Sequence, residues 1–430
     1  MRGYPSQRFS DKAAVYYSAE LPMIPEWNPY WGLALAAKTC RWLQLVPFAE
    51  SGRVAPSWNP SEVHSDVKTK PAILFVALVI LSAGRLHGPS AADEPLEDRH
   101  VIDWHAHAAG LGYGGSGAFI NEQLRNNFRF RFFLKWMGAT QKELAAEGDQ
   151  IIIRRMSETL SQSKYVDQVV VLAMDGVVDP ATGVLDRENT QLYVPNEYVA
   201  RETAKYPNLL FGASINPNRK NSIELLEQAA AQGAVLVKWI PSIMAIDPSD
   251  PSFIPFYRKM AELGIPLLIH TGMEKSFTHA HDELSDPLNL ALPLRHGVTV
   301  IAAHLAATGK SEGQDNFERL LQMFAAYPNL YADISSLTQI NRLGYLVKAL
   351  KVPGLAERLL YGTDWPLQFF PLVSPWFHVQ HVGVAAARRV AGIDNPWDRD
   401  VALKQALGVP QTVFSRVVGI PAMKHSKPRP

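Results

Sequence analysis

Short apolar, β-rich runs alternate with longer helical stretches from residue 101 to near the carboxyl end, and this alternation constrains the chain more than any other feature. Repeated strand–helix units predict a parallel sheet covered by helices. The strand candidates are 101–107, 166–173, 209–215, 234–240, 266–271, 298–304, 330–334 and 359–364, eight in all. Between them Phe317, Leu320, Leu321 and Phe324 recur at helical spacing, and Phe253, Phe256, Met260 and Leu263 hold a similar stripe. Gly233 and Gly264 stand where a left-handed helix cap is wanted. The tetrapeptide Tyr-Pro-Asn-Leu occurs at 206–209 and at 327–330, each time between a helical pattern and a strand, and reads as one junction used twice.

Eight such units close into a (β/α)8 TIM-type barrel, whose reactive groups sit at the carboxyl ends of the strands. An open doubly wound sheet would gather its site at one switch point. Here the chemistry-bearing residues end strands one, four, five, six and eight: His105 and His107 in VIDWHAH, Lys238 in AVLVKWIP, His270 in PLLIHTG, His304 in TVIAAHLA and Asp364 in LLYGTDWP. His105 and His107 flank Ala106, so in a strand both imidazoles face one side. Taken alone, that pair reads equally well as two satisfied core histidines. A shared divalent cation removes the cost of gathering buried imidazoles and a carboxylate, and a metal site is the economical reading of the full set. Lys238 stays open: a buried lysine near cations loses its charge, and it either reacts with carbon dioxide to give a metal-bridging carbamate or pairs as an amine with Asp364 or a substrate carboxylate.

This strand-by-strand set resembles the amidohydrolase superfamily, and VKWIPS, LLIHTG and YGTDWP are similar to its amidohydrolase-related branch. The resemblance covers roughly residues 101–420. It implies that His105, His107, His270 and Asp364 hold a principal metal, expected to be zinc. Where the lysine is carboxylated, a second ion is held by Lys238 and His304; in one-metal members the strand-six histidine is left for catalysis. The implied activity is hydrolysis of an amide, lactone or ester bond of a small molecule by metal-activated water. Asp364 would move the proton, while His304 completes a second metal site or stabilises the developing oxyanion. Two alternatives stand beside it. Barrels resembling aminocarboxymuconate semialdehyde decarboxylase remove carbon dioxide without a redox cofactor, but they often carry glycines after the strand-six histidine, where this chain has Leu305-Ala306-Ala307. A non-catalytic, metal-stabilised binding protein is the other, and no sequence feature speaks for it.

A formal net charge of +1 with 19% charged residues gives no broad footprint for nucleic acid or an anionic membrane. The single cysteine, Cys40, lies upstream of the barrel and excludes thiolate, zinc-ribbon and disulfide chemistry from it. Residues 212–216 lack the final glycine of a nucleophile elbow, and 112–117 lack the lysine of a phosphate loop. That glycine run reads instead as a loop free to move over the mouth. The aromatic and basic stretch from Phe128 to Trp136 reads first as a small helical cap packed on the barrel rim, with arginines that hold a carboxylated or aromatic substrate as the alternative. His279 and His281 read as surface residues; Asp175 and Asp333, near the rim, either orient a ligand or satisfy backbone donors. The expected partner is a small-molecule substrate, with room for a homo-oligomer.

Lys68 and Lys70 precede an apolar run over 72–81, followed by small residues at 82–84 and 90–92 ahead of Asp93. This is the layout of a secretory signal peptide, and it falls short of the ~20 residues of a spanning helix. Processing near Ala92 would put a 93–430 catalytic domain in the periplasm or outside the cell. Residues 1–66 read as an unstructured extension or as upstream sequence before a true start at Val67. In the latter case peptide mass spectrometry of the native protein finds nothing from 1–66; abundant peptides there defeat it and favour a genuine extension with an internal signal anchor.

Overall fold

Each of the eight apolar runs forms a strand in the computed structural model, which describes residues 13–20, 48–55, 100–367 and 372–419. They are β1 (Ile102–His107), β2 (Gln168–Leu172), β3 (Leu209–Ala213), β4 (Leu236–Trp239), β5 (Leu267–His270), β6 (Val300–Ala303), β7 (Leu330–Asp333) and β8 (Leu359–Leu360). All pair in parallel and in chain order. The two ends of the sheet meet: Trp104 N donates to Tyr361 O (3.1 Å), Asp364 N to His105 O (2.8 Å) and His107 N to Trp365 O (3.0 Å). The sheet is therefore a closed barrel, as the alternation predicts. No helix of the described residues is long and apolar enough to cross a membrane.

Two compact units divide the chain, Met1–Gly88 and Pro89–Pro430. In the first, Ala13–Glu20 pairs antiparallel with Phe48–Ala55. The signal-like segment at 67–92 and the remainder of 1–66 lie outside the described residues.

Alternate strand residues divide between two apolar clusters, as a pleated strand requires. Val170, Leu172, Leu236, Leu268 and Ile301 fill the barrel. Val169, Val171, Val237, Ile269 and Val300 pack outward with helix residues such as Val199 and Phe317. The inward set continues by steps of two from Leu236 to Lys238, from Leu268 to His270 and from Tyr331 to Asp333, so the apolar filling gives way to polar groups at the carboxyl ends. β1 breaks its register with β2 between Asp103 and Ala106. This irregularity shifts the alternation, so Trp104 joins the inner apolar cluster and its neighbour His105 also meets the inner polar groups.

The helical stripes hold. Helix Asn316–Met323 buries Phe317, Leu320 and Met323, with Asp315 capping its first turn; helix Ile254–Leu263 buries Phe256, Tyr257 and Met260 and ends on Gly264 at φ 66°. The repeated Tyr-Pro-Asn-Leu makes the same turn twice, with Leu209 N donating to Tyr206 O and Leu330 N to Tyr327 O. The asparagines do more than tolerate the turn. Asn208 Nδ2 donates to Ser157 O, and Asn329 Nδ2 to Leu294 O and Val298 O, tying each strand entrance to the preceding layer.

One expectation is corrected. The glycine-rich loop after β1 is not a free flap: it wraps the buried Asp149 carboxylate, which accepts from Leu111 N (2.9 Å), Gly112 N (2.9 Å) and Ser116 Oγ (2.5 Å). Gly112 reaches this arrangement at φ 92°, where a side chain would be strained.

Candidate metal centre at the barrel mouth

His105 and His107 face the barrel mouth with their Nε2 atoms 3.2 Å apart. Asp364 Oδ1 lies 3.6 Å from His105 Nε2 and 3.2 Å from His107 Nε2, and its Oδ2 lies 3.9 Å from His304 Nε2. Lys238 Nζ is 3.0 Å from His105 Nε2. The two strands that follow one another in space, β8 and β1, thus bring the predicted carboxylate to the predicted histidine pair. His270 stands beside His304, with ring centroids 5.2 Å apart, and its Nε2 is 3.5 Å from Glu274.

Asp333 organises this cluster. Its Oδ2 accepts a hydrogen bond from His105 Nδ1–H at 2.8 Å, which fixes the tautomer and leaves the Nε2 lone pair facing the mouth. Its Oδ1 accepts from His304 N (2.9 Å), Ser335 N (3.0 Å) and, closely, Ser335 Oγ. Ser335 Oγ in turn is 2.7 Å from His304 Nδ1, and the Ser335 carbonyl also faces that nitrogen at 3.3 Å. Because a carbonyl only accepts, His304 carries its proton on Nδ1 and presents a bare Nε2 to Asp364. Ser336 Oγ donates to Asp364 Oδ2 at 2.6 Å, backed by Gln339 Nε2 at 3.1 Å.

Burial sets the charge states. Desolvation, followed by the charge of Lys238, pulls His105 down to about 4 against the opposing pull of Asp333. His304 is held well below its ordinary value and His270 below it, both first by desolvation. Desolvation also brings Lys238 down to about 8. Burial would raise Asp333 and Asp364, but His105 outweighs it at the first and His304 with His107 at the second, so both stay ionised. The site therefore offers neutral imidazoles beside anionic carboxylates, the protonation that metal ligation needs.

Several residues here occupy strained backbone. His304, Leu305 and Ala306 lie at φ 57°, 50° and 50°, Ser336 at 56° and Asp364 at 64°. Non-glycine residues rarely adopt these values, and such strain concentrates where a site dictates the backbone. The turn after β6 therefore has the conformation that glycine favours although its residues are leucine and alanine.

The donor set fits a metal. Ligands sharing one cation at about 2.1 Å in a tetrahedral array stand roughly 3.4 Å apart, and the His105, His107 and Asp364 separations of 3.2–3.6 Å match. His105, His304 and Asp364 also form a fully buried potential ligand group. His270 Nε2 is buried without a hydrogen-bond partner, which a ligating role would explain. Lys238 pairs with His105 and forms no ion pair with Asp364 among the described residues.

The remaining predicted positions sort readily. Asp175 is consumed by a bidentate pair with Arg219 (2.7 and 2.6 Å) and by Asn216 N. His279 and His281 are exposed. Helix Phe128–Trp136 buries Phe130 and Leu134, consistent with packing, and both also line the cavity. Ser335, Ser336, Glu274 and Arg342 escaped sequence reasoning. The Ser335-Ser336 pair, one residue beyond the strand-ending Asp333, was the one available signal.

A cavity of about 480 Å³ covers the cluster. His107, Lys238, His270, His304 and Asp364 line it together with Glu274 and Arg342, and Phe133, Met137, Leu192, Phe277 and Leu367 supply apolar wall.

Residues 102–381 match the family model described as Amidohydrolase. Among solved structures, the chain is similar to an uncharacterized TIM-barrel protein from Bordetella bronchiseptica, with 18% identity, coverage of 71% of this chain and 99% of that one, and a TM-score of 0.44. It is also similar to a probable 2-pyrone-4,6-dicarboxylic acid hydrolase from Acinetobacter baumannii (15% identity, 72% and 92% coverage, TM-score 0.42). A third is 5-carboxyvanillate decarboxylase from Sphingomonas paucimobilis (15% identity, 73% and 98% coverage, TM-score 0.41). No curated protein matches the sequence.

Proposed function

The chain belongs to the amidohydrolase family, and from that premise we propose that it is a metal-dependent hydrolase cleaving an amide, lactone or ester bond of a small molecule. One observation carries the reading: the ionised Asp364 faces His105 and His107 through Oδ1 and His304 through Oδ2 on the wall of a cavity at the barrel mouth. His105, His107 and Asp364 would hold the principal cation, expected to be zinc, with His270 as a further imidazole. His304 and Lys238 would serve a second ion if the lysine is carboxylated. A divalent cation held there supplies a polarised carbonyl and an acidified water.

The chain's own residues do the rest. Asp364 would accept the water proton and pass it to the leaving group. His304, with its proton on Nδ1, acts at Nε2 as a ligand or a base and not as an oxyanion donor.

Decarboxylation is the second reading, and one observation favours it. Residues 304–306 already hold the left-handed backbone that glycine would take, so Leu305 and Ala306 do not set this chain apart from glycine-bearing decarboxylases at the backbone.

Metal analysis of the purified protein, paired with ester, lactone and amide panels, tests the proposal. Bound zinc with turnover is expected, and Asp364→Asn should lower kcat by roughly 10²–10⁴-fold with thermal unfolding little changed. Carbon dioxide release from carboxylated substrates, with every panel member intact, would instead establish the lyase. Bound metal without turnover of either kind, and no change in ligand binding on His304→Ala, would leave a binding protein.

A further inference from the structure

Arg342 sits on a short 3-10 turn, Ile340–Arg342, in the segment after β7. The turn is anchored: Ile340 N donates to Leu372 O (2.9 Å), and Arg342 N closes on Gln339 O (2.9 Å). The residue is only 8% exposed and lines the cavity beside Asn341 and Gln339. Nε and Nη1 are buried without a hydrogen-bond partner, and the guanidinium makes no ion pair among the described residues. A buried, unpaired guanidinium is costly, because arginine does not shed its proton to escape the cost.

The carboxylates whose charge favours the protonated guanidinium, Asp364, Glu274 and Asp333, are all engaged elsewhere. Asp333 is taken by His105 and Ser335, Asp364 by His107 and Ser336, and Glu274 accepts from Ser276 N and faces His270. The guanidinium shares its cavity with His270 and His304 of the candidate metal cluster. Two kinds of surface meet there, a fixed cation and a wall of Phe133, Met137, Leu192 and Phe277.

We infer that Arg342 is a specificity determinant that binds a carboxylate carried by the substrate, with the apolar wall holding that substrate's hydrocarbon or aromatic body. The planar guanidinium suits the coplanar oxygens of a carboxylate, and pairing the two removes the desolvation cost from both. The substrate class is then an apolar-bodied acid whose scissile bond lies apart from its carboxylate. This deepens the hydrolase reading and rests on it for the reaction alone.

Calorimetric titration of the metal-loaded protein tests the inference by binding alone, each amide being checked by chromatography to be intact after the titration. The probes are benzoate, isophthalate and glutarate, each against its neutral amide. The acids should bind at least about tenfold more tightly than the amides, as a charge-assisted contact predicts. Arg342→Met should erase that preference while leaving amide binding alone, and Arg342→Lys should retain part of it. If no acid binds, if amides match acids on the native chain, or if Arg342→Met keeps the preference because the metal alone captures carboxylates, the inference is overturned. The comparison on the native chain stands even if Arg342→Met fails to fold. A protein that binds acids through Arg342 yet hydrolyses nothing would sink the hydrolase reading and leave this one intact.

Discussion

Asp333 explains why a barrel core tolerates so many polar side chains. It is fully buried, yet it satisfies His105 Nδ1, the His304 backbone and Ser335 at once, and through them aims two imidazoles at the mouth. Replacing it with asparagine puts an amide where the His105 proton needs an acceptor charge. Asp333→Asn should weaken metal binding by about 10–100-fold, the usual cost of losing a carboxylate behind a ligating histidine. Chelator competition measures this, and unchanged affinity would remove Asp333 from its supporting role. The aspartate was visible at the end of a strand in the sequence, but its partners were not. They come from β1, β6 and the turn after β7, so no local pattern announces them.

At the scale of the element, the carboxyl ends of β6 and β8 are shaped by packing that sequence spacing does not carry. Beyond Leu360 the last strand is steered by a buried pair: Lys404 Nζ, on helix Pro396–Ala406, donates to Gly362 O (2.8 Å) and to Asp400 Oδ2 (2.8 Å). Gly362 is two residues from Asp364, so this lysine braces the backbone that delivers the carboxylate. Lys404→Met should destabilise the fold by roughly 3 kcal/mol, since it leaves a buried carboxylate without its partner. Urea unfolding reads this, and the loss should shrink in the double variant with Asp400→Asn. A Lys404→Met protein as stable as the parent would show that the pair does not hold the strand. The strands themselves were legible because apolar runs ending in polar residues recur. The left-handed turn at His304–Ala306 was not, because leucine and alanine give no sign of it.

At the scale of the whole molecule, the barrel concentrates groups whose protonation couples to folding. His105 is drawn down to about 4 in the folded chain, and His270 and His304 move in the same direction. An unfolded chain takes up these protons near the ordinary histidine value, about 6.5. Below that pH the unfolded state binds more protons at these histidines than the folded one, so their contribution to stability is full above about 6.5 and falls as pH drops towards 4. His105 alone contributes on the order of 3 kcal/mol over that window. Asp103, raised to about 6 by burial despite Thr363 and Trp397, works the opposite way with a smaller shift. The metal-free protein should therefore lose thermal stability between pH 6.5 and 4.5, with a gentler slope in His304→Gln. Equal slopes in both proteins would mean that His304 is not held neutral.

What the amino-acid order alone determined is the βα repeat, the closed barrel it implies, and the set of imidazole, amine and carboxylate groups assigned to one mouth, because a period-two apolar run and its polar terminus are local facts. What only the tertiary structure decided is how those groups divide: His105, His107 and Asp364 in mutual reach, His270 beside His304, Lys238 on His105, and Arg342 left charged in the cavity. The register shift in β1, the left-handed turns and the bracing from distant helices arise from contacts between segments far apart in the chain. Such contacts exist only once the sheet has closed.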